Sequence, residues 1–189
     1  MRLVVAVTGA SGVIYGKRLL QVLKDKGVET HLIISNAAQK VIEHELGNDK
    51  KDFEKLADHV YEADDLTAPL MSGSFKTDGM VIVPCSMKTL SGIVHGFAHN
   101  LVLRAADVAL KEKRCLIVVP RETPLSTVHL RNMLAAAKLG VYVVPAMPAF
   151  YHKPKDISGL VDFVVGKVLD CLGLEHELFT RYSGIKARS

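Results

Sequence analysis

The stretch Leu3-Val-Val-Ala-Val7, followed directly by Thr8-Gly-Ala-Ser-Gly12, decides the fold. Its short run of apolar, mostly β-branched residues predicts a buried strand, and the glycines after it predict a tight turn. From Val13 onward apolar residues recur at helical spacing, until Gly27 ends the helix. A strand, a glycine turn and a helix in this order are typical of an α/β protein with a parallel sheet.

The same alternation continues along the chain. Further strands are predicted over Glu29–Ser35, Met80–Val83, Cys115–Val119 and Val141–Val144, and helices over Ala37–Leu46, Asp49–Asp58, Leu101–Lys113, Thr127–Leu139 and Ile157–Leu172, with one more helix ending near His95 and a loop over Ala68–Ser74. We therefore expect a three-layer α/β fold in which helices cover both faces of a parallel sheet. No linker interrupts the pattern, so residues 1–189 are predicted to form a single domain, with a C-terminal arm from about residue 174.

The composition argues against several classes of protein. The 189 residues are 49% hydrophobic and 23% charged, a composition that supplies a core and argues against disorder. The basic residues behind the net charge of +4 are scattered and aromatic residues make up only 6%, so nucleic-acid binding is disfavoured. Three cysteines form no CxxC pair, which favours a reducing, cytoplasmic location. No signal peptide and no membrane span are expected.

Ligands of parallel α/β sheets bind beyond the carboxyl ends of the strands, so the segments at those ends carry the candidate site. These segments are Thr8–Gly12, Ser35-Asn36, Pro84–Thr89, Pro120–Glu122 and Pro145–Tyr151. The first and third open helices, whose free N–H groups can hold an anion. Arg121 can bond two phosphate oxygens at once, and Glu122, if partly buried, can act as an acid.

Other sites are weaker alternatives. Gly9, Gly12 and Gly16 do not have the G-x-G-x-x-G spacing of a dinucleotide reductase, and Pro154 interrupts the Tyr-x-x-x-Lys match that starts at Tyr151. The eight histidines show no Cys–His ligand pattern, so no metal is predicted. Cys85 has no evident base beside it and is expected to be an inert core residue.

Several of these segments together resemble one family. They are Val7-Thr-Gly-Ala-Ser-Gly-Val-Ile-Tyr-Gly16, Pro84-Cys-Ser-Met-Lys-Thr-Leu-Ser-Gly92, Arg104–Lys111, Val119–Pro124, His129 with Asn132-Met133, Pro148–Tyr151, and Leu160–Asp162 leading into Val168–Gly173. Over about residues 3–182 the chain is similar to UbiX-type flavin prenyltransferases, the UbiX/phenylacrylic acid decarboxylase-like flavoproteins. The resemblance implies a flavodoxin-like (Rossmann-like) fold and a homododecamer.

The resemblance also implies an activity. Family members transfer the dimethylallyl group of dimethylallyl phosphate to N5 and C6 of reduced FMN without a metal. The product, prenylated FMN, serves UbiD-type decarboxylases. Implied FMN contacts are Gly9, Ala10, Ser11, Ser35, Ser86, Met87, Lys88, Thr89 and Arg121, and implied substrate contacts are Arg104, Lys111, Glu122, Tyr151 and Lys167.

Four residues take catalytic roles by the same resemblance. Ser11 and Glu45 are implied to handle the proton near the flavin. Glu122 is implied to protonate the departing phosphate, and Lys111 to neutralise its charge. This chemistry fits the residue types, because an allylic C–O bond breaks more easily when its leaving group is neutralised.

The chain departs from the family pattern in places, and alternatives remain. Leu66 stands where some relatives have Trp, and Lys167 where many have Arg. A flavin-dependent cysteine decarboxylase of the same fold is disfavoured, because Pro145–Phe150 lacks the Asn and Trp of that enzyme's recognition segment. A non-catalytic FMN carrier would need Arg121 and the glycine turns but no acid. The sequence leaves open whether the donor is the monophosphate or the pyrophosphate, and which decarboxylase receives the product.

Overall fold

The computed structural model describes residues 1–47 and 50–184. Within them, six strands form one sheet: β1 Arg2–Val7, β2 Glu29–Ile34, β3 His59–Glu62, β4 Gly79–Cys85, β5 Cys115–Pro120 and β6 Tyr142–Val143. Their order in the sheet is β3-β2-β1-β4-β5-β6, and every neighbouring pair is parallel. The chain order reverses at β1 and β4, which is the place where ligands bind in sheets of this kind.

Helices cover both faces of the sheet. The described residues contain α1 Val13–Asp25, α2 Asn36–Leu46, α3 Lys51–Glu54, α4 Met87–Val94, α5 Leu101–Lys111, α6 Thr127–Lys138 and α7 Ile157–Cys171. One core lies between the sheet and α1, α2, α3 and α7, and a second lies between the sheet and α4, α5 and α6. The predicted three-layer, flavodoxin-like fold is confirmed.

Two glycines near the start of α1 are needed for different reasons. Gly12 has φ of 96°, a left-handed conformation that residues with a Cβ rarely adopt. Gly16 packs α1 against β4 so closely that a Cβ atom there would lie 2.6 Å from the carbonyl oxygen of Val83. The glycine spacing therefore serves the turn and the helix–sheet packing.

The structure differs from the predicted elements mainly in three places. Strand β3 was not predicted, because His59–Glu62 is polar and exposed at the edge of the sheet. The helix predicted over Asp49–Asp58 is only Lys51–Glu54, and its predicted first residue, Asp49, lies outside the described residues. The predicted loop over Ala68–Ser74 contains a short 3-10 helix, Pro69–Met71.

The segment after α7 returns along that helix. Asp170 accepts hydrogen bonds from Arg181 at 2.8 Å and from Lys167 at 2.9 Å, and it lies 3.2 Å from His176. Leu178 and Phe179 pack against the core beneath. None of the helices in residues 1–47 and 50–184 has both the length and the apolar character needed to cross a membrane.

Candidate active site

The carboxyl edge of the sheet opens onto a cavity of about 440 Å³. Its walls are the segments that follow β1, β2 and β3 and the residues around the N-termini of α4 and α5. The lining residues are Thr8, Gly9, Ser35, Asn36, Ala37, Ala63, Asp64, Ser86, Lys88, Thr89, His99, Asn100 and Leu103. The volume lies within the range of about 300–1,000 Å³ found for small-molecule sites.

Three helices point their N-termini at this cavity. Helices α2, α4 and α5 begin after Ser35, Ser86 and Asn100, and all three of these capping residues line the cavity. Each capping side chain accepts a hydrogen bond from the backbone N–H three residues on, at 3.2, 3.2 and 2.9 Å. Helix N-termini carry partial positive charge and free N–H groups, so their convergence favours an anionic ligand.

Thr8 fixes the floor of the cavity. Its hydroxyl donates to the carbonyl oxygen of Pro84 at 2.8 Å and accepts from the backbone N–H of Ser86 at 2.8 Å. The residue is only 2% exposed. These bonds tie the end of β1 to the end of β4, so the turn after β1 and the start of α4 keep a fixed separation.

The N-terminus of α1 holds an internal carboxylate. Glu45 accepts hydrogen bonds from the backbone N–H of Gly12 at 2.9 Å and of Val13 at 3.2 Å. The glycine turn predicts that these amides can hold a ligand anion, but Glu45 already occupies them. A negative group is favoured there by the partial positive charge of the helix end, and it lies next to Ser11.

Arg121 joins the end of β5 to the same turn. Its Nε donates to the carbonyl oxygen of Ser11 at 3.3 Å. Burial raises the pKa of Tyr15, and the nearby charge of Arg121 offsets part of that rise. Glu122, expected to act as an acid if partly buried, is exposed in the single chain, and its carboxylate accepts a hydrogen bond from the backbone N–H of Thr123 at 3.0 Å.

The structure divides the predicted FMN contacts into two groups. The residues that line the cavity are Gly9, Ser35, Ser86, Lys88 and Thr89. Ala10 and Ser11 belong to the turn beside it, and Arg121, at the end of β5, donates a hydrogen bond to that turn. The side chain of Met87 instead packs in the core, so this residue can reach a ligand in the cavity only through its backbone.

The two α5 residues predicted to bind substrate lie at different distances along the helix from the cavity. Arg104 is one turn into the helix, where it donates to Asp107 at 2.6 Å and to the carbonyl oxygen of Met71 at 3.2 Å. Lys111 ends the helix and pairs with Glu112 at 2.6 Å. At 1.5 Å per residue, Lys111 lies about 15 Å along the axis from the start of α5. It therefore lies away from the cavity, towards the amino edge of the sheet.

Tyr151 lies beside α7, with its ring 5.9 Å from that of Phe163, one helical turn before Lys167. Tyr151 is exposed, with its ring 5.5 Å from that of Tyr182. Lys167 lies in the last turns of α7, paired with Asp170 at 2.9 Å. The same helix end places the carbonyl oxygen of Cys171 at 4.0 Å from Sγ of Cys115, the first residue of β5. Because connecting helices run antiparallel to the strands, Lys111 and Lys167 both lie far from the carboxyl edge.

Comparison with known proteins identifies the family. The Flavoprotein family model matches residues 1–169. "Flavin prenyltransferase UbiX" of Methanocaldococcus jannaschii is 54% identical over 185 residues, which cover 98% of this chain and 100% of that protein. The chain belongs to the UbiX family of flavin prenyltransferases. The predictions of a flavoprotein and of an enzyme of this class are confirmed.

Two solved structures of UbiX-type proteins superpose closely. A dodecameric FMN-dependent UbiX-like decarboxylase from Escherichia coli O157:H7 has a TM-score of 0.95 and 51% identity, covering 97% of this chain and 100% of that one. AnUbiX (PadA1), solved in complex with FMN and dimethylallyl pyrophosphate, has a TM-score of 0.96 and 46% identity, with 98% of both chains covered. The UbiX-type fold thus extends over nearly all of this chain.

Sequence reasoning missed part of the wall of this UbiX-family cavity. Ala63 and Asp64 follow β3, the strand that was not predicted. His99 and Asn100 precede α5, and the N-cap preference of Asn was the signal that could have found them. His95 and His99 have His-x-x-x-His spacing, yet they share no helical face, because α4 ends at Val94 and Gly96 has φ of 66°.

Cys85 does not take part in the chemistry of this UbiX-family site. It is fully buried, and burial raises the pKa of its thiol to about 12. A thiol with this pKa is protonated near neutral pH and is not a nucleophile. This agrees with its interpretation as an inert core residue.

Proposed function

We propose that this chain transfers the dimethylallyl group of dimethylallyl phosphate to N5 and C6 of reduced FMN. The product is prenylated FMN, and the proposed recipient is a UbiD-type decarboxylase in the cytoplasm. The observation that carries the proposal is the cavity at which three capped helix N-termini converge, in a chain about half identical to flavin prenyltransferases. AnUbiX binds FMN and dimethylallyl pyrophosphate in the same fold.

The cavity suits FMN as an acceptor substrate. A phosphate group is favoured by the N-termini of α2 and α4, whose caps Ser35 and Ser86 line the wall. Thr89 adds a hydroxyl 3.0 Å from that of Ser86. Arg121, beside the turn after β1, supplies a fixed positive charge near the end of β5. We propose that these groups bind and orient the flavin.

The proton-handling roles fit the turn before α1. Two backbone N–H groups hold the side chain of Glu45 as a hydrogen-bond acceptor beside Ser11. We propose that this pair accepts the proton that C6 of the flavin loses. Glu122 follows Arg121 directly and is the proposed donor of a proton to the phosphate oxygen that leaves the allyl carbon.

We propose that Lys111 and Lys167 act in the site of a neighbouring copy of this chain. Within one chain they lie towards the amino edge, and both are exposed. The E. coli O157:H7 relative is dodecameric, and a homododecamer would give such residues a neighbouring site to complete. Exposed apolar side chains, among them Leu134 on α6 and Phe150, offer surface for such contacts.

The mass of the flavin product tests the proposed function. Purified protein is incubated without oxygen with reduced FMN and either dimethylallyl phosphate or dimethylallyl pyrophosphate. We expect a flavin heavier by one prenyl group, together with free phosphate or pyrophosphate from the donor that is used. An unchanged FMN mass with both donors would refute the transferase and favour the carrier.

A further inference from the structure

A second cluster of polar side chains lies at the amino edge of the sheet, away from the candidate active site. Glu29 and His31 are the first and third residues of β2, so their side chains leave the same face of the sheet. His59 begins β3 and is the direct register partner of His31. One ligand atom from each of the three residues lies within 4.8 Å of the other two.

The distances from Glu29 to the two histidines fit a metal site. Oε1 of Glu29 lies 3.1 Å from Nε2 of His31 and 3.5 Å from Nε2 of His59. In a tetrahedral zinc site with bonds of about 2.1 Å, neighbouring donor atoms are about 3.4 Å apart. Two imidazole nitrogens and one carboxylate oxygen are also ligands that zinc commonly takes in sites that keep one position open.

The surrounding side chains hold His31 in place, whereas His59 is exposed. His31 is 2% exposed, its Nδ1 lies 2.9 Å from the hydroxyl of Tyr61, and the ring of Phe75 packs edge-on against it. The ring of His59 stacks on that of His31, with centroids 4.5 Å apart and planes 20° apart, so it must turn to share an ion with His31; the His59 side chain is 51% exposed and has room to do so.

We propose that Glu29, His31 and His59 bind a divalent transition-metal ion such as Zn²⁺, with one coordination position open to solvent. The Tyr61 hydroxyl orients His31 from its other nitrogen, the role that hydrogen-bond partners have around metal-binding histidines. The ion would join β3 to β2. Because Ala63 and Asp64 directly follow β3 and line the cavity, the metal would also stabilise that wall.

Arg2 competes with the ion for the same oxygen. Its Nε donates to Oε1 of Glu29 at 2.9 Å, and its guanidinium lies over the ring of Phe75 at 4.8 Å from the centroid. A bound cation must displace this contact, and the positive charge of Arg2 disfavours it. Removal of the Arg2 charge should therefore tighten metal binding, whereas removal of a ligand should weaken it.

Zinc titration of the untagged full chain tests the site. Protein stripped with a chelator is titrated with zinc chloride against a chromophoric competitor. We expect one zinc per chain, at least ten-fold weaker binding for His59→Gln, and tighter binding for Arg2→Gln. His44→Gln removes an exposed histidine outside the cluster and should leave the affinity unchanged.

Two further readouts separate a built site from adventitious binding. Cobalt(II) should give a visible absorption band in the wild-type chain that is lost in His59→Gln. Zinc should raise the melting temperature of the wild type and of His44→Gln but not of His59→Gln. Equal zinc affinity in the wild type and His59→Gln, or no zinc binding by the wild type, overturns the proposal.

Discussion

At the scale of the residue, Glu122 has the most specific proposed role. It lies next to Arg121. Among the described residues, the Glu122 carboxylate accepts a hydrogen bond only from the backbone N–H of the adjacent Thr123. Such a side chain contributes little to the fold, so its replacement should change the chemistry without unfolding the protein.

The first prediction is that Glu122→Gln lowers kcat about 100-fold, the lower end of the effect of losing a general acid. FMN affinity should stay within about two-fold, since Glu122 is not a proposed FMN contact. Phosphate release measures the rate, and flavin absorbance measures binding. Glu177→Gln, a change in an exposed acid near the C-terminus, is the control. Loss of FMN binding would place Glu122 in the flavin site instead.

At the scale of the element, Asp170 ties α7 to the segment that follows it. The side chain is 21% exposed. Burial alone would raise the pKa of Asp170, but hydrogen bonds from Arg181 and Lys167 outweigh this and hold it well below the usual value. Because the folded pKa is the lower one, the stabilisation is present above the unfolded pKa of about 3.9 and is lost as pH falls below it.

The second prediction follows from the lowered pKa of Asp170. Asp170→Asn should lower the free energy of unfolding by about 1–2 kcal/mol at pH 7, a discounted value for partly exposed charge-assisted hydrogen bonds. The difference from wild type should shrink as the pH falls from 5 to 3. Urea unfolding across this range measures it, with Asp25→Asn at the end of α1 as the control. A difference that is constant with pH would contradict the role of the charge.

The sequence predicted the strands at the centre of the sheet but not the edge strand β3. Buried apolar strands such as β1 and β4 have the near-continuous apolar pattern that is typical of a parallel sheet covered on both faces. Strand β3 has no such pattern, because an edge strand needs only one buried face and its pairing depends on β2. The cluster of Glu29, His31 and His59 was missed for the same reason, since it arises from the register of two strands and not from a spacing along the chain. The single domain with a C-terminal arm stays a prediction.

The candidate site, too, could be predicted only in part from the sequence. The segments after β1 and β4 were found because glycines and capping residues mark them. The relation of Lys111 and Lys167 to that site could not be read from motifs, because a motif does not tell which end of a helix faces a ligand. Their placement follows from the direction of α5 and α7 relative to the sheet.

At the scale of the whole molecule, the third prediction concerns assembly. Leu134 on α6 is 57% exposed in the single chain, so Leu134→Glu should leave the fold intact. A charge at a buried, apolar contact between copies is costly, so the variant should form smaller particles than the wild type. Sedimentation velocity measures size and circular dichroism checks the fold. Lys40→Glu, a change at an exposed residue of α2 on the opposite side of the sheet from α6, is the control, and an unchanged particle size would exclude the Leu134 face from the assembly.

The last prediction tests whether a site is built from more than one copy. Glu122→Gln and Lys111→Ala are each expected to be nearly inactive alone. If Glu122 and Lys111 of one site come from different copies, assemblies formed by co-expression of equal amounts should have about one quarter of their sites intact. Such assemblies should therefore recover about one quarter of wild-type activity.

The control for this experiment is the double variant Glu122→Gln/Lys111→Ala co-expressed with the wild type. It reports how mixing itself affects activity, because every intact site must then draw both residues from wild-type chains. If both residues of a site belong to one chain, the mixture of single variants contains no intact site and stays as inactive as each variant alone. That result would place Glu122 and Lys111 of each site on one chain and would contradict the proposal that Lys111 completes the site of a neighbouring copy.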